Sequence, residues 1–307
     1  MSFNFGSFDA IAASPKPVEV PLRTGPPTKE ELIAHYPSKF TWNQLKTFLN
    51  SGDLGLLKRD KNLEARYRTW AKAIEREYGS MVNYLCDYRL QWGKPDKLGL
   101  LKSRLDDDND TKPEHASQKT SLFSPDTPSP ADPPSYFTAN TPSELISIIM
   151  ADWPYLVPID IEHSLIWTKL PIIPPNIHQS IVPRVSQDGL WGFTGNPDPP
   201  PSPSSLPACL PALAEWGVTM NDIVRSERGT DAEEELVRQA GREVDLFVRK
   251  RWNEREWETA WFVRPPRLQS VPGLAHIHVF ARYKLAEEIV EAKEASRWDT
   301  SELVPQA

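Results

Sequence analysis

Between Ala275 and Arg282 the sequence reads AHIHVFAR, an alternation that a β-strand divides into two faces. His276, His278 and Phe280 fall on one face, and Ile277, Val279 and Ala281 on the other. Two imidazoles on the same side of a strand can supply a nucleophilic nitrogen, proton donors and acceptors near neutral pH, or a pair of metal ligands. Just before them, Pro265, Pro266, Pro272 and Gly273 bracket Arg267-Leu268-Gln269-Ser270-Val271. A loop stiffened in this way holds the amide of Gln269 and the hydroxyl of Ser270 close to the histidines. Arg264 and Arg267 add guanidinium donors, so the local chemistry suits a small anionic ligand.

A second segment, Ile159 to Pro171 (IDIEHSLIWTKLP), alternates in the same manner. His163, Leu165, Trp167 and Lys169 share a face, with the imidazole near the start of the predicted strand and the ammonium near its end. Set beside the first strand, it brings His163 and Lys169 to the pair His276 and His278.

Three chemistries fit these residues. Phosphoryl or nucleotidyl transfer needs a nucleophile facing phosphorus, an orienting partner for its second nitrogen, and donors for the phosphate oxygens. His276 can attack, while His278, Gln269, Ser270, Lys169, His163 and Arg264 can bind the ligand. No side chain that orients His276 is evident from the sequence, though a backbone carbonyl can do so. A binding or regulatory module would keep the anion pocket without turnover. A metal site on His163, His276 and His278 is the third chemistry, and it needs a carboxylate such as Asp160 or Glu162 nearby. Set against all three, an H-x-H pair also occurs as ordinary strand histidines with ordinary hydrogen bonds.

The remaining elements must position these strands. Capping-box patterns at Thr28, Thr41, Thr141 and Thr230 each open a predicted helix, the third running through Met150 and the fourth through about Trp252. Leu63, Tyr67, Trp70, Ile74 and Tyr78 form one stripe on a helix of about 18 residues that Gly79 ends. Met81, Leu85, Tyr88 and Trp92 continue as a second stripe from a cap at Ser80. Residues 28–102 therefore read as a helical N-terminal unit, after a proline-rich leader over 1–27 with no order of its own. Residues 103–140 read as an acidic and proline-rich linker. Its run Asp106 to Asp110 fails as a calcium loop, because the sixth loop position is Thr111 where the turn needs glycine. Residues 141–298 form the α+β domain, with a proline-rich insertion over 171–212 and a tail over 299–307. Within the insertion, Ile181 to Val185 reads as a short strand or as no element. Glu256 to Val263 is a strand, and Tyr283 to Trp298 a closing helix. The whole predicts a largely antiparallel sheet with helices packed on one side.

With 307 residues, 31 of them proline, packed regions must alternate with segments that do not fold. A net charge of -7 disfavours nucleic acid and anionic membranes as partners. Cys86 and Cys209 make no framework, no run of apolar residues spans a bilayer, and the N-terminus carries no secretory pattern. The expectation is a cytoplasmic or nuclear protein.

Two resemblances rest on the motifs. Thr41-Trp42, Glu77-Tyr78-Gly79-Ser80, Asp152-Trp153-Pro154-Tyr155, His163, Trp167-Thr168-Lys169, Leu268-Gln269-Ser270-Val271 and His276-x-His278-Val279 resemble, in that order, the fungal N-acetylglucosamine-induced-protein family. That family is largely uncharacterised and implies little about chemistry. More remotely, His163 to Lys169 followed by Gln269-Ser270-Val271 and His276-Ile277-His278-Val279-Phe280 resembles the core of the histidine-triad nucleotide hydrolases and transferases. The resemblance implies a histidine-triad-like antiparallel sheet acting on a nucleotide or sugar-phosphate conjugate without a cofactor. His276 would be the nucleophile, with His278, Gln269 and Ser270 on phosphate oxygens. Leu274 stands where those families have their first histidine, and that substitution favours the binding-module alternative.

Overall fold

The computed structural model describes residues 17–107 and 134–290. Most of the predicted leader and linker, the end of the closing helix and the tail lie outside these residues. Three helices come first: α1 (Lys29–His35), α2 (Trp42–Asn50) and α3 (Lys61–Tyr78). The capping boxes at Thr28 and Thr41 form, each with the hydroxyl accepting from the third helical N–H and that residue's side chain accepting from the cap N–H. Asp60 caps α3, and Gly79 ends it in the left-handed region. The chain then makes one turn, Met81–Asn83, that widens into a π-helix, Tyr84–Arg89. The wider turn breaks the predicted stripe, leaving Tyr88 exposed while Tyr84 and Leu85 are buried.

Five strands form one antiparallel sheet: β1 (Ile146–Met150), β2 (Ile161–Thr168), β3 (Leu190–Thr194), β4 (Trp257–Val263) and β5 (Ala275–Tyr283). The spatial order is β1-β2-β5-β4-β3, so the two histidine-bearing strands are direct neighbours at the centre. The sequence predicts a helix from Thr141 through Met150. The structure instead has a single 3-10 turn, Ser143–Leu145, and then β1, because the β-branched run ISIIM pairs with β2 along its full length. Within 171–212 the chain builds α4 (Val182–Asp188) and β3. Ile181 to Val185 is thus the start of a helix rather than a strand; Pro183 sits in its first turn, where a missing N–H costs nothing.

Helices cover both faces of the sheet rather than one. On the histidine face, Leu45, Phe48 and Leu49 of α2 pack with Ala260, Phe262 and Phe280, while Ile74, Tyr84 and Leu85 pack with Trp167 and Leu274. On the other face lies α5 (Asp231–Arg251), whose Ala240, Val244 and Val248, with the following Trp252, meet Ile166, Ile277, Val279 and Ala281. The N-terminal helices share much of their core with the sheet, and α1 and α3 close a smaller cluster of Leu32, Tyr36 and Leu63 with Trp153 of the turn after β1. Phe137 is fully buried against Phe247, so packing resumes before Thr141.

Two glycines on different elements serve one side chain. A Cβ on Gly192 of β3 would lie 2.6 Å from the indole of Trp261, and a Cβ on Gly241 of α5 would lie 2.8 Å from the same ring. Trp261 is thereby wedged between strand and helix, with its indole N–H donating to Asp245 at 3.1 Å. A glycine inside a helix costs about 1 kcal/mol against alanine, which the close approach of the indole offsets.

Charged pairs tie distant segments together. Arg89 donates to Asp152 and to Asp96, two oxygens on each, at 2.8 to 3.0 Å, and anchors the π-helix to the turn between β1 and β2. Lys46 of α2 reaches Glu258 of β4 at 2.6 Å; Glu258 also accepts from Arg282 of β5, which in turn pairs with Glu288. Both Lys46 and Glu258 are buried.

Gly192→Ala is expected to lower unfolding free energy by about 1–3 kcal/mol through overpacking against Trp261. Gly25→Ala, where the added methyl meets nothing within 4 Å, leaves it unchanged. Urea denaturation of the two variants reads the difference, and equal stabilities would rule out the wedge. Arg89→Ala strands two carboxylates and is expected to cost about 3–5 kcal/mol in the same assay.

Candidate functional site

Register sets the geometry. Across β2 and β5, Trp167 is opposite His276, Leu165 opposite His278, and His163 opposite Phe280; across β4 and β5, Phe262 is opposite His278. Each imidazole therefore meets an aromatic ring straight across the ladder. His276 stacks on Trp167 with centroids 4.2 Å apart, His278 lies flat on Phe262 at 4.3 Å, and His163 lies over Phe280 at 4.5 Å. The diagonal neighbours His163 and His278 join Nε2 to Nδ1 at 3.0 Å.

All three rings are enclosed, at 3% exposure for His163, 6% for His276 and 5% for His278. Burial pushes the imidazoles of His163 and His278 well below their ordinary pKa, and neighbouring charge adds to it: Arg59 and Arg264, with His276, act on both. Burial brings His276 down to about 4, against an opposing contribution from the Leu274 carbonyl and with a smaller repulsion from Arg264. The cluster is therefore neutral at physiological pH. A neutral hydrogen-bonded pair has one N–H and one lone pair left over at its two outer nitrogens, whichever ring donates. Those nitrogens are His163 Nδ1 and His278 Nε2, and both are buried without a partner among the described residues.

The orienter that the sequence left open is the backbone carbonyl of Leu274, which accepts from His276 Nδ1 at 3.3 Å. With the hydrogen on Nδ1, Nε2 carries the lone pair. Leu274 cannot bond through its side chain, yet its main chain supplies the contact.

Two cavities reach this cluster. One, of about 70 Å³, is bounded by His163, His276 and His278 together with Trp70, Trp153 and Ser270. The other, of about 210 Å³, opens where β2 leaves the sheet and β5 enters it, and Arg264, Gln269 and His276 line it with Ile172, Ile173 and Pro266. A third, larger cleft of about 740 Å³, between α1 and residues 154–162, touches His163 alone of the cluster.

Arg264 is held by donation to the Leu268 carbonyl at 2.8 Å and to the Tyr155 hydroxyl, while its Nε is buried without a partner. No carboxylate among the described residues lies within ion-pair distance of it. Gln269 donates weakly to the Arg264 carbonyl at 3.5 Å, and Ser270 is exposed at the mouth of the smaller cavity. Lys169 does not join them. Its side chain is exposed, with the ammonium 4.7 Å from the centre of the Trp92 ring, because β2 ends one residue earlier and the chain turns away.

The metal reading lacks its carboxylate. Glu162 alternates onto the opposite face, where it accepts from Ser103 and the Arg104 N–H, and Asp160 is exposed. Among the described residues no three of His, Cys, Asp and Glu form a metal-holding group.

Sequence reasoning missed Arg59 and the role of Tyr155. The Tyr155 ring stacks on His163 at 5.1 Å, and the guanidinium groups of Arg59 and Arg264 lie 5.5 and 5.6 Å from its centre. Arg59 is fixed by the Trp153 carbonyl and Glu64, both at 2.9 Å. Arg59 sits in the charged run Lys58-Arg59-Asp60-Lys61, which has no periodic signal.

Residues 41–187 match the model of a family described as "Protein of unknown function (DUF3605)". No curated protein matches the chain. A solved structure titled "Crystal Structure of HTC1" is similar at 16% identity and a TM-score of 0.31, covering 83% of this chain and 94% of that one. No helix among the described residues is long and apolar enough to cross a membrane.

The buried imidazoles predict acid sensitivity with a definite sign. Above pH 6.5 neither the folded nor the unfolded chain protonates these rings. Below it the unfolded chain binds protons that the folded chain excludes, so stability falls as pH drops toward 4. His276 alone contributes about 3 kcal/mol to that loss. Urea midpoints measured from about pH 7.5 to about pH 4.5 are expected to fall more steeply for the native chain than for His276→Gln. Parallel curves would mean that His276 titrates as an exposed ring.

Proposed function

We propose that this protein binds a phosphate-bearing ligand against His276 and transfers or hydrolyses its phosphoryl group through that imidazole. The observation that carries this reading is the state of His276. Its Nδ1 is tied to the Leu274 carbonyl, it is buried and neutral, and it borders a cavity also lined by a guanidinium that no carboxylate among the described residues offsets. A nucleophile, its orienter and an unspent positive charge meet there.

In the proposed reaction, the Nε2 lone pair forms a bond to phosphorus as the ester P–O bond breaks. The bonding pair leaves on the departing oxygen, which takes the acidic proton carried by the phosphate monoester monoanion. Water then attacks phosphorus, the P–N bond returns its electrons to Nε2, and the proton lost by water stays on the released phosphate. Arg264 and Gln269 are the donors for the phosphate oxygens, while Ser270 borders the smaller cavity. The arrangement follows the histidine-triad resemblance in the nucleophile and the donor loop, with a main-chain carbonyl in place of the first histidine. Lys169 has no part in it.

Phenyl phosphate tests the reading. The native chain is expected to release inorganic phosphate and, when quenched early, to carry an acid-labile, base-stable phosphoryl group. His276→Ala is expected to lose both, with turnover down on the order of 10³-fold or more. Turnover unchanged in a folded His276→Ala protein removes the nucleophile, and binding without any turnover in the native chain leaves a phosphate-binding module.

A further inference from the structure

The larger cavity at His276 is more selective than a phosphate site needs to be. Only three of its lining residues, Arg264, Gln269 and His276, offer polar side chains. The rest of the wall is Pro171, Ile172, Ile173, Val263, Pro266 and Ala275. None of these side chains can bond to ribose hydroxyls, to the edges of a nucleobase or to the hydroxyls of a sugar ring. A volume of about 210 Å³ holds on the order of ten water-sized atoms. Half of that room is filled by a phosphate group, and the remainder suits a few carbons. Burying sugar hydroxyls against isoleucine and proline without partners is unfavourable, whereas burying methylenes there is not.

Resting on the phosphate site proposed above, the geometry points to a small organic monophosphate with a compact hydrocarbon group as its ligand, in place of a nucleotide or a sugar phosphate. The phosphate faces Arg264, Gln269 and His276, and the hydrocarbon lies against Ile172, Ile173 and Pro266. The charge is complementary, because Arg264 has no carboxylate partner among the described residues and its buried Nε has no acceptor. The wall is built by the chain leaving β2 and the chain leaving β4, so the hydrocarbon side is set by Pro171-Ile172-Ile173, a stretch without catalytic groups.

Calorimetric titration of the full chain with inorganic phosphate, with straight-chain alkyl phosphates from methyl to pentyl, and with adenosine monophosphate and glucosamine 6-phosphate separates the two levels. Inorganic phosphate is expected to bind. Each added methylene is expected to tighten binding about fourfold until the cavity is full, and neither adenosine monophosphate nor glucosamine 6-phosphate binds more tightly than inorganic phosphate. Ile173→Ser, on a partly buried position that a folded protein tolerates, is expected to reduce the gain per methylene below about twofold while leaving inorganic phosphate binding unchanged. Phosphate binding with a flat alkyl series, or tighter binding of either sugar-containing ligand, overturns the hydrocarbon preference alone. No binding of inorganic phosphate or of any alkyl phosphate overturns the phosphate site along with it.

Discussion

Neutrality is the constraint on which this structure depends. Three imidazoles lie under aromatic rings on the inner face of a central strand pair, where burial penalises a charged ring. The protein meets that constraint with a hydrogen bond between two of the rings and a carbonyl on the third. Two guanidinium groups flank the cluster and reinforce the uncharged state by repulsion. With His276 neutral, the guanidinium of Arg264 is the charged group in the lining of the larger cavity. Stability and the proposed chemistry thus depend on the same protonation state.

Covering both faces of the sheet is what makes that burial possible. β4 is buried at every position, and β2 at all but one. Its central residues must therefore be apolar, aromatic or internally bonded, and the alternation has to satisfy two cores at once. Trp261 shows how tightly the second core is specified, since it requires glycine on two separate elements. Glu162 and Glu258 show how carboxylates survive in such strands, the first by accepting from a backbone N–H and a hydroxyl, the second by pairing with two cations.

Local signals were legible in proportion to how little they depended on distant partners. The capping boxes at Thr28, Thr41 and Thr230, the left-handed Gly79 and the two faces of β5 are all set by residues within a few positions of one another. The alternation in β5 also identified the face that carries His276 and His278. What failed was settled at long range. Thr141 to Glu144 has the pattern of a helix start, but ISIIM is held extended by β2. β3 hides in a proline-rich stretch because Gly192 interrupts its apolar run, and it gains its pairing from β4, over sixty residues away in the chain. Lys169 shares the sequence alternation of His163, yet the strand ends before it and nothing local marks that end. Arg59 and Tyr155 come to the cluster only through the docking of α3 and the turn after β1, which no spacing encodes.

The ladder of charge from Lys46 through Glu258 and Arg282 to Glu288 connects an early helix to the last strand, its first two members being 212 positions apart in the chain. On a ribosome, α2 leaves the exit tunnel long before Glu258 has been made, and its lysine has no counter-charge to close on. Native docking of the N-terminal helices must therefore wait until nearly the whole chain is synthesised, and the imidazole cluster they cover is among the last regions to be shut away from water.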